Sequence, residues 1–304
     1  MASRTASKGP FWLEWSAGAI GCLCVSVAML SSCSKPPTQP GPATLPLGTV
    51  LRDRTFHSIA LNADVMYRVI EPTSFKPGER ICVGYLLHGN GSGFREWSTY
   101  SSIGELAVDN YVLVMPEGHS TYFMNSATKA DDRYEDFVTR DLIADAEHDL
   151  PQPIGRSSRF IAGNSMGGFA AMVLAFKHPD LYAFAGALSP PVDFPKRAFT
   201  LRRISQSLGV RRIFGPEGSA TRSSNDPFLL ARAANPDSVP FLFVSVGDQE
   251  SLREPVERFN RALTARSIPH IFLLGRGGHN WQQWNGNLPM LLESLETTMS
   301  AAQK

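Results

Sequence analysis

From Ser157 to Pro190 the chain reads "SSRFIAGNSMGGFAAMVLAFKHPDLYAFAGALSP". Arg159 to Ala162 has the character of a short buried strand. Ala170, Ala171, Val173, Leu174 and Phe176 recur at helical spacing, and His178-Pro179 supplies the stop. Ser165 stands between the two, with Gly163, Gly167 and Gly168 around it. A G-x-S-x-G turn in that position is a nucleophile elbow, whose glycines permit a bend tight enough to lift the hydroxyl clear of the backbone. The same bend aims the first N–H groups of the helix at whatever the hydroxyl attacks. The stretch therefore predicts a strand, a nucleophilic Ser165 and a helix.

Working outward, "TFHSIALNADVMYRVIEP" alternates as two antiparallel strands do, with Asn62-Ala63-Asp64 at the turn. Short apolar runs follow, separated by helical stretches: Ile81 to Leu87, Tyr111 to Met115, Phe160 to Gly163, Phe184 to Leu188, Phe241 to Val246 and His270 to Leu274. Such alternation predicts an α/β protein with a mostly parallel sheet covered by helices on both faces. Its ligand crevice lies beyond the carboxyl ends of the strands. Those ends carry "HGNGSG", Ser165, "GDQE" and "GRGGHNW". The order Ser, then Asp or Glu, then His is that of an α/β-hydrolase. From about 191 to 236 the alternation breaks down, with Phe194, Phe199, Phe214 and Phe228 among polar residues. Two readings of this insertion stand: a cover over the active-site mouth, or a helical pair packed on the sheet edge.

With 304 residues, 43% of them hydrophobic, and a formal charge of +1, the chain suits one sizeable globular domain and neither a disordered nor a nucleic-acid-binding protein. Residues 1–33 form a separate object: Arg4 and Lys8, an apolar stretch from Ala17 to Leu30, then "LSSC". The apolar stretch is short for a membrane span, and a span begun earlier, near Phe11, would enclose Glu14. "LSSC" resembles a bacterial lipobox, which implies that Cys33 is lipid-modified and becomes the new N-terminus, anchoring the protein in the cell envelope. Cys22 and Cys24 would leave with the signal, so Cys82 remains as a buried, inert thiol with no partner for a disulfide. Residues 34–48, "SKPPTQPGPATLPLG", hold five prolines and read as an extended tether. The folded part is expected from Thr49 to the end.

The blocks "LLHGNGSGFREW", "MPEGHSTYFMN", "RYEDFVTRDLIADAEHDLP", "AGNSMGGFAAMVLAFKHPDLYAFAGALSP", "VSVGDQE" and "GGHNWQQW" stand in the order of the Putative esterase family, which the chain resembles over most of Thr49 to Pro289. That family includes feruloyl esterases, S-formylglutathione hydrolases and the antigen 85 mycolyltransferases. Two positions depart from its pattern: Asn164 precedes the serine where a hydrophobic residue or His is commoner, and Glu250 stands where Asp is usual.

An unaided serine needs a base to take its proton as it attacks. His279, after Gly277-Gly278 and before Trp281, matches the family's G-H-x-W pattern; of the seven histidines, His88 lies beside the oxyanion loop and reads as structural. The imidazole needs a carboxylate to hold its tautomer. The family spacing from Gly247 falls on Glu250, with Asp248 as the alternative nearer the strand end. One oxyanion donor is the backbone N–H after the serine, at Met166; by resemblance the second is that of Asn90, after His88-Gly89. No metal site or dinucleotide or phosphate fingerprint is present in a supporting context, so no cofactor is expected. The sequence thus predicts a lipid-anchored serine esterase working through an acyl-enzyme. An antigen 85-type acyltransferase with the same triad is the first alternative, and a non-catalytic envelope binding protein the second.

Overall fold

The computed structural model describes residues 45–302, apart from 202 and 203. The expected signal segment, Cys33 and the tether up to residue 44 lie outside the described residues. Eight strands form one sheet: β1 (Thr49–Ser58), β2 (Ala63–Pro72), β3 (Cys82–Leu87), β4 (Tyr111–Pro116), β5 (Arg159–Asn164), β6 (Phe184–Leu188), β7 (Phe241–Gly247) and β8 (His270–Gly275). Their order is β1-β2-β4-β3-β5-β6-β7-β8, antiparallel at β1/β2 and β2/β4 and parallel from β4 to β8. Among the described residues nine α-helices connect or cover them: α1 (Glu96–Tyr100), α2 (Tyr134–Asp136), α3 (Leu142–Glu147), α4 (Met166–Lys177), α5 (Ile204–Phe214), α6 (Ala220–Ser224), α7 (Pro227–Ala233), α8 (Arg253–Ala265) and α9 (Trp281–Ala301). This is the α/β-hydrolase architecture.

Side chains alternate across a strand, so each central strand feeds two cores. Val83, Tyr85 and Leu87 of β3 join one with Phe169 and Val173 of α4 and Phe259 of α8. Cys82 and Leu86 join the other with Leu288, Leu291 and Leu295 of α9. Cys82 is a free thiol there, and burial pushes its pKa up. At the sheet edge, β1 carries a charged run at Arg52, Asp53 and the half-buried Arg54, which discourages pairing with another chain.

Two boundaries differ from the sequence expectation. The ladder of the first hairpin closes at Ser58 opposite Ala63, so Ile59 to Asn62 make the turn and Ala63 and Asp64 already belong to β2. Asn62 alone takes the left-handed conformation, at φ 47°, and Asp64 instead meets His57 across the strands at 3.0 Å. The folded part also starts earlier than Thr49. Leu45 packs on the α9-side core, the carbonyl of Pro46 accepts from Thr49 N–H, and that of Gly48 accepts from Thr73 N–H at 2.8 Å.

The insertion contributes to the crevice mouth and to the helical layer over the sheet, and its helix α7 packs on other helices rather than on a sheet edge. Pro191, Phe194 and Arg197 line the mouth of the crevice, while α7 packs on α4 and α8. Phe194 stacks on Tyr122 with ring centres 4.1 Å apart. The crevice wall is thus shared between the insertion and the loop after β4.

Candidate active site

Ser165 is the hinge between β5 and α4. It adopts φ 50° and ψ −114°, a conformation that strains a side-chain-bearing residue, and its N–H donates to the Leu188 carbonyl at 2.7 Å. The neighbouring glycines do not supply the unusual backbone angle. They supply room: a Cβ on Gly163 would collide with the backbone of Gly167, and one on Gly167 with the Leu87 carbonyl. The tight approach of α4 to β3 and β5 points the serine out of the sheet end.

His279 reaches Ser165 from the loop after β8. Ser165 Oγ lies 2.8 Å from Nε2, and Nδ1 lies 2.7 Å from Glu250 Oε2. The carboxylate can only accept at Nδ1, so that nitrogen carries the proton and Nε2 keeps a lone pair for the serine hydroxyl. Glu250 is buried, its side chain 1% exposed against 40% for His279. Its second oxygen accepts from Gly247 N–H at 2.8 Å and from Ser189 Oγ at 2.6 Å. Ser189 in turn accepts from Trp284 Nε1 at 2.9 Å, and the Trp284 ring stands edge-on to His279. Both oxygens of the buried carboxylate therefore meet donors.

Asp248 points elsewhere. Its Oδ1 accepts from Gly277 N–H at 2.8 Å, while Gln249 N–H donates to the Gly277 carbonyl at 3.0 Å. It ties the β7 loop to the β8 loop and does not touch the imidazole. The sequence leaves it as the alternative acid; the structure gives it a half-buried bracing role.

Of the two expected oxyanion donors, Met166 directly follows the serine and Asn90 lines the same cavity. Met166 opens α4, so its N–H is among the first-turn donors with no acceptor in the helix, at the positive end of the helix dipole. Asn90 is exposed on the loop after β3, and its N–H meets no acceptor among the described residues. Asn90, Ser165, Glu250 and His279 line one open cavity of about 410 Å³ with Tyr122, Pro191, Phe194, Arg197, Ser251 and Leu252. Burial pushes the Tyr122 phenol well above its usual range, so it stays neutral. Arg197 is held from behind by Asp193 at 3.0 Å and lies over the Phe194 ring.

The other six histidines stand apart from the serine. His88, buried, donates from Nδ1 to the Gly89 carbonyl at 2.8 Å and accepts from Gly118 N–H at Nε2, at 2.9 Å. His57 meets Asp64, His178 meets Glu135, and His270 meets Asn260; His119 and His148 are exposed.

Several residues that shape the site escape a reading of the sequence. Ser189, Trp284 and Glu96 reach it from the end of β6, from α9 and from α1, and no spacing rule links them to Ser165. Ser189 has a weak signal in its place at the end of a buried strand, "AGALSP", where such sheets put their chemistry.

The model of the family described as Putative esterase matches residues 58–295. An acetyl esterase of Caldicellulosiruptor saccharolyticus is 26% identical over 208 residues, 66% of this chain and 78% of that protein. The diacylglycerol acyltransferase/mycolyltransferase Ag85B of Mycobacterium avium is 25% identical over 195 residues, 56% of this chain and 58% of its own length. Among solved structures, the fluorophosphonate-binding serine hydrolase FphF of Staphylococcus aureus superposes with a TM-score of 0.67 at 22% identity, covering 85% of this chain and 99% of that one. An S-formylglutathione hydrolase from Agrobacterium tumefaciens does so with a TM-score of 0.70 at 18% identity, covering 84% and 98%. At these identities the structural likeness speaks for the fold.

Proposed function

The chain belongs to the Putative esterase family and is a carboxylic ester hydrolase, and from that premise we propose that it cleaves its ester through an acyl-enzyme on Ser165. The observation that carries this reading is the unbroken hydrogen-bonded line from Ser165 Oγ through His279 to the buried Glu250. In it, His279 Nε2 takes the hydroxyl proton as Oγ bonds to the ester carbonyl carbon. The resulting oxyanion lies between the N–H groups of Met166 and Asn90, each such donor being worth about 10²–10³ in kcat. The imidazolium, stabilised by Glu250, then gives the proton to the leaving alcohol as the C–O bond breaks. Water repeats the sequence on the acyl-enzyme and releases the acid.

A fluorophosphonate probe tests the nucleophile. Ser165→Ala should abolish covalent labelling and ester turnover while the thermal transition is retained; labelling that persists on another serine refutes the assignment. Acyl transfer to an alcohol would use the same intermediate, and the similarity to a mycolyltransferase keeps it as a second reading. Product analysis with and without an added sugar acceptor separates them: free acid in both supports hydrolysis, and a new ester supports transfer. The complete triad geometry argues against a non-catalytic binding protein.

The same proposal includes a lipid anchor in the cell envelope. Its support is the "LSSC" ending of the apolar stretch before Cys33. Among the described residues no helix is long and apolar enough to cross a membrane.

A further inference from the structure

Glu96 opens α1 and is buried, with 8% of its surface exposed. Its carboxylate accepts three hydrogen bonds: Gly89 N–H to Oε2 at 2.6 Å, Trp281 Nε1 to Oε1 at 3.0 Å and Asn164 Nδ2 to Oε1 at 3.2 Å. Each partner adjoins a different part of the site. Gly89 precedes Asn90, Asn164 precedes Ser165, and Trp281 follows His279 by two residues. We propose that Glu96 is a positioning residue that sets the Asn90 N–H of the oxyanion hole and ties its loop to the nucleophile and histidine loops. The proposal rests on the reading of Asn90 as an oxyanion donor.

The geometry of one peptide plane carries the argument. The Gly89 carbonyl is engaged on one side by His88 Nδ1 at 2.8 Å and by Ser92 N–H at 3.2 Å. A trans peptide sets its C=O and N–H in opposite directions, so the Asn90 N–H on the same plane faces the other way. What remains to be fixed is the torsion on the Gly89 side, and a glycine has little intrinsic preference there. Glu96 fixes it by holding the Gly89 N–H, and Trp97 Nε1 holds the preceding Leu87 carbonyl at 3.0 Å. A Cβ at Gly89 would sit 2.9 Å from Asn164 Nδ2 and would have to displace that amide. The oxyanion loop therefore lies directly on the residue before the nucleophile, with Glu96 as their common acceptor.

The residue type follows from the partners. A backbone N–H, an indole N–H and an amide NH₂ all donate, so the group between them must be acceptor only, and an ionised carboxylate is the side chain that meets this requirement. No Lys or Arg is among its hydrogen-bond partners, so the buried charge is offset by oriented neutral dipoles. A carboxylate is costly to bury on these terms, and a packing role alone is met more cheaply by an apolar or amide side chain. The place of Glu96 in the first turn of a helix also suits a negative charge.

The isosteric Glu96→Gln change separates the two roles. Its amide would keep the shape but set an NH₂ against a donor, most directly the Gly89 N–H. Glu96→Asp keeps the all-acceptor head and loses one methylene. Four quantities are read for both variants and the parent: the thermal midpoint, fluorophosphonate labelling, kcat and KM on p-nitrophenyl acetate, and the affinity of a trifluoromethyl ketone, whose hemiketal oxyanion occupies the same hole. The expected result is a fall of about 10²-fold in kcat for Glu96→Gln, the scale of one lost oxyanion donor, with KM within about threefold and ketone affinity weakened in parallel with kcat. Glu96→Asp should lose less than Glu96→Gln. A kcat for Glu96→Gln within threefold of the parent overturns the proposal. So does a Glu96→Asp variant as impaired as Glu96→Gln, or loss of labelling and of the thermal transition in both, since each makes Glu96 a packing residue. Absence of labelling in the parent protein instead refutes Ser165 as nucleophile, a separate failure.

Discussion

Glu250 and Asp248 lie two residues apart on the loop after β7, yet their carboxylates do different things. Asp248 is tied to the β8 loop at Gly277 N–H, while Glu250, two residues further on, meets His279 Nδ1. The spacing from Gly247 singles out Glu250 in the sequence; what it misses is that Asp248 is a brace. Glu250→Gln should lower kcat by about 10²–10⁴-fold with little change in KM, because the imidazolium it stabilises forms only during the reaction. Asp248→Asn should cost less than about tenfold, since an amide oxygen still accepts from Gly277 N–H. Both follow from kcat on one soluble ester at fixed pH. A severe Asp248→Asn and a mild Glu250→Gln would exchange the two roles.

The elbow shows how an element is built from a sequence pattern whose physical reason differs from the first reading. The pattern G-x-S-x-G locates the turn, and β5 and α4 fall where the apolar runs place them. The glycines suggest a bend that needs their conformational freedom, but the positive φ belongs to Ser165 itself. Gly163 and Gly167 serve the close crossing of helix on strand, which depends on β3 lying beside β5, a contact between residues about 80 positions apart. Gly167→Ala sets a methyl against the fixed backbone at Leu87, which no side-chain rearrangement relieves. It should destabilise by about 3 kcal/mol or more, lowering the thermal midpoint by roughly 6–12 °C for a domain of this size. Gly155→Ala, where a Cβ meets nothing within 4 Å, is the control and should leave the midpoint unchanged. An equal response of the two variants would remove the crossing explanation.

Across the whole molecule, the described residues begin at Leu45, which packs against the α9-side core, and the proposed anchor lies ahead of it. A chain starting at Leu45 should keep its thermal midpoint within about 2 °C and turnover of a soluble ester within about twofold, as for a terminus outside the core, while leaving the membrane fraction. Cys33→Ser in the full chain should yield an unlipidated precursor. A mature N-terminus other than Cys33, read by mass spectrometry, refutes the anchor. Local pattern was enough for the six parallel strands, the α/β architecture and the nucleophile turn, because hydrophobic period, glycine and proline act within a few residues. The family pattern added the spacings that single out His279 and Glu250. The turn of the first hairpin was less legible, since Asn62, Ala63 and Asp64 all suit a turn and only the pairing of Ser58 with Ala63 selects among them. Glu96, Ser189 and Trp284 were not legible as site residues at all. Their contacts join strand ends and helices 61 to 185 residues apart in the chain, and whether a buried carboxylate or hydroxyl supports a site is decided by which donors the packed sheet brings to it.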